Sequence, residues 1–266
     1  MTRIGRRFSE LKKRGEGGLV TFITAGDPNI ETTLKIILEL DKAGADVVEI
    51  GIPFSDPIAD GPSIQAASMR ALAQGTNIPA VLGLVQGVRR ESQIPIVLMT
   101  YYNPVFHYGT ERFAQDAARA GADGVIVTDI IPEEAAVWKK AADDAELDTI
   151  FLLAPTSRED RIEKVANLAS GFIYCISRTG ITGAGTEMSL DARKLAEAVK
   201  GRTDKPVAVG FGISNRKHVQ DVCSYADGAI VGSVLVDTIA RYSGTKELLE
   251  NVHKLVKSLK SGTLDK

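Results

Sequence analysis

Cysteine, histidine and tryptophan are scarce in this chain of 266 residues, which holds two, three and one of them. Cys175 and Cys223 lie far apart and outside any Cys-x-x-Cys, so no disulfide framework or thiolate cluster is written here. Both read as small buried hydrophobes. His107, His218 and His253 are scattered with no His-Glu-x-x-His spacing, so no metal site is assigned. An excess of one charge is also missing: the net charge is −2, with both signs interspersed. That removes the electrostatic case for nucleic acid or an anionic membrane as partner. No apolar run approaches the ~20 residues that span a bilayer. Met1 to Gly18 is charged and lacks a signal-type apolar core. The chain is expected to be cytoplasmic.

What is present alternates. Apolar residues make up 44% and charged residues 25%, an ordinary globular balance. Strand-like runs occur at Gly18–Thr24, Asp46–Ile50, Pro95–Tyr101, Asp123–Thr128, Asp148–Leu153, Gly171–Ser177, Pro206–Gly210 and Gly228–Val231. Most are unbroken apolar runs, the pattern of parallel strands covered on both faces. Amphipathic stretches lie between them at Ile30–Ala43, Glu111–Ala120, Pro132–Asp144, Arg158–Ala169, Leu190–Lys200 and Arg216–Ser224. Gly44-Ala45-Asp46, Gly121-Ala122-Asp123 and Ala226-Asp227-Gly228 each introduce a strand. Glycine there suits the left-handed turn that ends a helix. Eight βα units in roughly 250 residues fit a single (β/α)8 TIM barrel; a doubly wound open sheet is the alternative. No linker or composition shift divides residues 1–266, so one domain is expected. Two additions are predicted. Met1–Arg14 reads as an N-terminal helix, with Ile4, Phe8 and Leu11 on one face to cap the barrel bottom. Ser63–Gln74 and Ile78–Arg90 put an extra helix after the second strand.

The segment from Val48 to Pro62 carries the clearest chemistry. Glu49 interrupts an apolar strand, where a carboxylate is costly to desolvate. In a barrel it sits near the C-terminal strand end, the catalytic side. Asp56 and Asp60 follow on a Pro/Gly-rich loop, and either could pair with Glu49 in acid–base work. The plainer readings are a buried structural carboxylate for Glu49 and turn-forming side chains for the two aspartates. Small residues gather after the last three strands, at Ser177–Gly185, Gly210–Ser214 and Val231–Ser233. They would let backbone N–H groups approach an anion, and a helix starting at Ser233 would aim its N-terminus there. Arg178 is a candidate phosphate ligand or a loop-shaping residue. Phe22, Ile64, Met99, Tyr101, Leu153, Tyr174 and Phe211 fall at or just beyond strand ends. They either wall an apolar pocket for a flat ring or simply pack the barrel.

Phe22–Pro28, the run from Val48 to Gln65, Met99–Phe106, Ser177–Gly183, Gly210–Ser214 and Val231–Ser233 together resemble the tryptophan synthase α subunit, in order and over essentially the whole chain. The motif Pro53–Pro62 (Pro-Phe-Ser-Asp-Pro-Ile-Ala-Asp-Gly-Pro) is the most specific part. The resemblance implies retro-aldol cleavage of indole-3-glycerol phosphate to indole and glyceraldehyde 3-phosphate. It implies Glu49 as general acid/base and Asp60 as the carboxylate at the indole N–H. Phe22, Ile64, Tyr101, Tyr174 and Phe211 would line the substrate, Gly183, Gly212, Gly232 and Ser233 would serve the phosphate loops, and Thr182 with Asp56 would link the loops after strands two and six that close over substrate. Asp56, Pro57 and Asn103 would serve loop closure and partner contact. No cofactor is implied on this chain; pyridoxal phosphate would sit on a β subunit, in an α2β2 assembly that receives the indole. One departure stands out. Asp129 is followed by Ile130-Ile131 before Pro132, where the family has Asp-Leu-Pro, and Asp129 is given no catalytic role. Rival readings are another phosphate-binding barrel, such as indole-glycerol-phosphate synthase or a sugar-phosphate isomerase, and a non-catalytic regulatory subunit. The synthase would carry lysines at strand ends, which are not seen; the retained Glu49 and Asp60 argue against the regulator.

Overall fold

Unbroken apolar runs become the staves of a parallel barrel. The computed structural model describes residues 2–177, 190–210 and 212–264. In chain order these give α1 (Arg3–Arg14), β1 (Gly18–Thr24), α2 (Ile30–Ala43), β2 (Val47–Gly51), α3 (Pro62–Ala73), α4 (Ile78–Arg89) and β3 (Ile96–Thr100). Then come α5 (Tyr102–Tyr108), α6 (Thr110–Ala120), β4 (Gly124–Val127), α7 (Ala136–Asp144), β5 (Asp148–Ile150) and β6 (Leu152–Leu153). The last third holds α8 (Glu159–Leu168), β7 (Ile173–Ile176), α9 (Leu190–Lys200), β8 (Val207–Gly210), α10 (Arg216–Cys223), β9 (Gly228–Val231), α11 (Ser233–Tyr242) and α12 (Leu248–Ser261).

All strand pairings are parallel, in the order β5-β4-β3-β2-β1-β9-β8-β7-β6. The run expected as one strand over Asp148–Leu153 is divided into β5 and β6. Each piece pairs with a single neighbour, β5 with β4 and β6 with β7, so the ladder changes sides at Phe151. The Phe151 carbonyl accepts the Tyr174 N–H at 3.1 Å. Side-chain alternation runs through the break: Ile150 and Leu152 pack inward, Phe151 and Leu153 outward. The two end strands of the sheet are therefore halves of one stave, and the barrel has the eight staves predicted.

Alternation sorts every stave into two sets. Val20, Val47, Val97, Ile126, Ile150, Ala208 and Ile230 fill the interior, while Leu19, Ile23, Val48, Ile50, Leu98 and Val125 face the helices. The predicted cap is in place. Ile4, Phe8 and Leu11 of α1 join the interior cluster, with Phe8 5.8 Å from Phe172. Burying each contributes roughly 1.5–3 kcal/mol over leaving it exposed. Thr2 caps α1 by accepting from the Gly5 N–H, and Arg3 reaches Asp123 at 2.8 Å. With the bottom plugged, the mouth at the strand C-termini is where a site can open.

The extra helix after the second strand is present as the pair α3 and α4. Pro62 starts α3, where its missing N–H costs nothing. Three differences have local causes. Helix α7 starts at Ala136 rather than Pro132, because a turn closed by Glu134 N–H on the Ile131 carbonyl precedes it. Helix α5 was not expected; Pro104 lies in its first turn, where proline is tolerated. Helix α12 also lies outside the expected set, although Leu248, Val252, Val256 and Leu259 repeat at helical spacing and are buried.

Candidate active site

Glu49 is the fixed point. It lies on β2, in register with Phe22 on β1 and Val97 on β3, two residues beyond the inward Val47. The same parity turns its side chain into the barrel. It is fully buried, and among the described residues neither carboxyl oxygen has a hydrogen-bond partner. Burial favours the neutral form and pushes its pKa up to about 8. An unfolded chain would ionise this residue near its ordinary value of 4.5. Between those two values the folded state holds the extra proton, so Glu49 contributes less stability as pH rises through the window. Glu49→Gln removes that penalty. It is expected to exceed the parent in stability by on the order of 4 kcal/mol at pH 8 and to match it near pH 5. Urea unfolding of both proteins at the two pH values checks this.

Asp60 reaches the same cavity from the loop between β2 and α3. Tyr101 holds it: the phenol donates to Asp60 Oδ2 at 3.1 Å and accepts the Ala59 N–H at 3.0 Å. The Tyr101 ring leans on Phe54, 5.3 Å between centroids. Gln65, one turn into α3, donates to the Asp60 carbonyl at 2.9 Å. Burial pushes the Asp60 carboxyl up to about 6, against the lowering effect of the Tyr101 hydrogen bond. At neutral pH the cavity thus holds one protonated carboxyl and one carboxylate, the split that assigns an acid and an anion.

Tyr174 faces both from β7. Burial, and then the charges of Glu49 and Asp60, hold its phenol well above the ordinary tyrosine range. Its position depends on Gly210 of the neighbouring strand, where a Cβ would lie 2.3 Å from the phenol oxygen. Gly51 makes similar room for Phe22, whose ring tip would lie 2.7 Å from a Cβ there. Phe22, Ile64, Met99, Leu152, Ile176 and Ile230 supply the apolar wall. Gly212, Ser214, Gly232 and Ser233 line the same cavity, Gly232 beside Phe22, and Ser233 opens the ten-residue α11 with its N-terminus at the cavity. That end can receive an anion.

Most expected site residues converge here: Glu49, Asp60, Phe22, Ile64, Tyr174, Gly212, Gly232 and Ser233 line one cavity, and Met99 joins them. Thr182, Gly183 and Phe211, with Arg178, lie outside the described residues. Two expectations are corrected. Tyr101 does not line this cavity but braces Asp60 from a smaller one beside it. Leu153 points outward and packs the helix-facing core, and Leu152, which has the inward parity of this stave, takes the wall position. Asp56 is exposed and paired with the Ser55 hydroxyl, and Asn103 is exposed on α5. Neither Asp56, Pro57 nor Asn103 lines the cavity. Asp129, left without a role, accepts the Tyr102 N–H at 2.7 Å and so ties the loop after β4 to the start of α5. Thr128, Leu152, Ile176 and Ile230 escaped the sequence reading; counting inward parity from Val47 and Phe22 was the signal that could have found them. Among the described residues no group of three or more His, Cys, Asp or Glu could hold a metal ion.

A capped (β/α)8 barrel with a split carboxyl pair, an apolar wall and small-residue loops at its last strand ends is the layout of an acid–base barrel enzyme. Its substrate would be a phosphorylated compound with a flat apolar group. Within that class, the chain belongs to the tryptophan synthase alpha chain family, whose profile matches residues 8–264. It is similar to the tryptophan synthase alpha chain of Geobacter sp. (strain M21), 53% identical over 264 residues, covering 99% of this chain and 98% of that one. It is 47% identical over 260 residues to that of Caldanaerobacter subterraneus subsp. tengcongensis, covering 98% of this chain and 99% of the relative. Among solved structures, tryptophan synthase subunit alpha from Legionella pneumophila superposes with a TM-score of 0.90 at 36% identity, covering 100% of this chain and 99% of the other.

Proposed function

We propose that this chain cleaves indole-3-glycerol phosphate to indole and glyceraldehyde 3-phosphate, the α reaction of tryptophan biosynthesis, within one barrel domain. The observation that carries the reading is the carboxyl pair: Glu49, fully buried on β2, and Asp60, on the loop that follows, line one cavity. The indole ring lies against Phe22 and Ile64. Its N–H points at Asp60, and the phosphate meets Gly212, Gly232 and Ser233 at the α11 terminus. Glu49 gives its proton to the ring carbon that bears the glycerol chain. The ring becomes cationic, and Asp60 stabilises that charge through the N–H. The glycerol hydroxyl then loses its proton to the Glu49 carboxylate. Electrons fall into the C–O bond, the C–C bond breaks toward the ring, and indole and the aldehyde form with no net change of protons. Every proton moves through groups this chain supplies.

The partner is a tryptophan synthase β subunit, which would hold the pyridoxal phosphate. Its docking face is assigned to the barrel mouth, where Ile58, Phe106 and Ile131 are 77%, 66% and 42% exposed on the segments after β2, β3 and β4. A cytoplasmic site of action belongs to the same reading, and no helix of the described residues is long and apolar enough to cross a membrane.

The test is indole release from indole-3-glycerol phosphate by the purified chain, followed from pH 5 to 9. The expected profile of kcat/KM is a bell. It rises as Asp60 ionises near 6 and falls as Glu49 ionises near 8. A chain that releases no indole, alone or with a β subunit, contradicts the proposal.

A further inference from the structure

A second cavity adjoins the main one, sharing Phe22, Asp60, Ile64, Met99 and Thr128 with it. Thr24, Gly51, Ile52, Ser68, Thr100 and Tyr101 complete its lining. Its volume is about 10 Å³, the space that one water needs. Thr24 ends β1 on the same strand face as Phe22, is 3% exposed, and has no hydrogen-bond partner for its hydroxyl oxygen among the described residues. Ser68 approaches from α3 and is 4% exposed. Among the described residues the one donor to the Asp60 carboxylate is the Tyr101 hydroxyl, on Oδ2. A cavity of this size, with an orphaned hydroxyl on one wall and an under-donated carboxylate on another, can hold a bridging water.

We propose that this cavity holds a single fixed water bonded to Thr24 Oγ1 and to the Asp60 carboxylate, and that Thr24 is thereby a positioning residue for Asp60. The inference rests on the assigned role of Asp60. The water's donated hydrogen bond favours the ionised carboxylate and fixes its direction, which leaves the face toward the substrate N–H correctly aimed. The titratable groups facing Asp60 are Tyr101 at the end of β3, Tyr174 on β7 and Glu49 on β2, and all three are neutral at the pH where Asp60 ionises. Helix α3 presents only Ile64 and Ser68 to the small cavity, with no charge.

The experiment compares the full chain with Thr24→Val and Thr24→Ser. Valine keeps the shape and loses the hydroxyl; serine keeps the hydroxyl. The expected result is about a tenfold loss of kcat/KM in Thr24→Val, with the acid limb of its pH profile moved to higher pH, and a loss within about twofold in Thr24→Ser. A crystal structure of the unaltered chain is expected to show water density between Thr24 and Asp60. A packing role alone would leave the acid limb where it is. A dry cavity in that crystal structure overturns the inference, as does an unmoved acid limb in Thr24→Val. The crystal result stands even if the valine variant fails to fold. An unaltered chain that releases no indole would instead count against the proposed reaction, and the density would still decide the water.

Discussion

Glu49→Gln is expected to lower kcat for indole release by about 10³-fold, while affinity for the phosphorylated substrate changes little. The amide matches the carboxyl in size and fits the same buried, unpartnered position, so the fold is kept. What is lost is the proton. A glutamine cannot protonate the ring carbon or accept the hydroxyl proton afterwards, and no other acid lies on that side of the cavity among the described lining residues. The phosphate rim at Gly212, Gly232 and Ser233 and the wall at Phe22 and Ile64 are untouched, so binding survives. Stopped-flow indole release paired with calorimetric binding of glycerol phosphate checks both halves. Near-parent turnover in this variant would remove Glu49 from the reaction.

Asp60→Asn is expected to cost about 10²-fold in kcat/KM, with the acid limb near pH 6 disappearing from the profile. Asparagine can still accept the indole N–H through its carbonyl and can still meet the Tyr101 hydroxyl. It brings no charge to a ring that is cationic halfway through the reaction. The loss is smaller than for Glu49→Gln because protonation still proceeds, only toward a less stabilised state. The pH dependence carries the distinction: a variant with equally low activity but an intact acid limb would assign that limb to another group.

Much of this was legible in the residues, and the reasons differ by element. Unbroken apolar runs gave the staves because strands covered on both faces need no alternation, and Ile30–Ala43 was found to the residue. Glu49 was legible because a lone carboxylate in such a run is anomalous. The loop role of Tyr101 was not, since a strand-end tyrosine looks the same whether it meets substrate or braces a neighbour. Leu153 was misplaced by one residue because an unbroken apolar run does not mark which of its alternate residues face inward. Thr24 carried no signal at all. Its importance lies in a hydroxyl left without a partner, a property of the packed barrel and not of the segment Phe-Ile-Thr.

The central claim is that Glu49 is a neutral acid at the pH of catalysis. The most direct measurement is a difference infrared spectrum between the unaltered chain and Glu49→Gln, titrated from pH 4 to 9. A protonated-carboxyl band assigned to Glu49 that persists through neutrality and fades near 8 is the predicted result. A band already gone by pH 6 would contradict the account, because Glu49 would then be ionised where the enzyme must hold its proton.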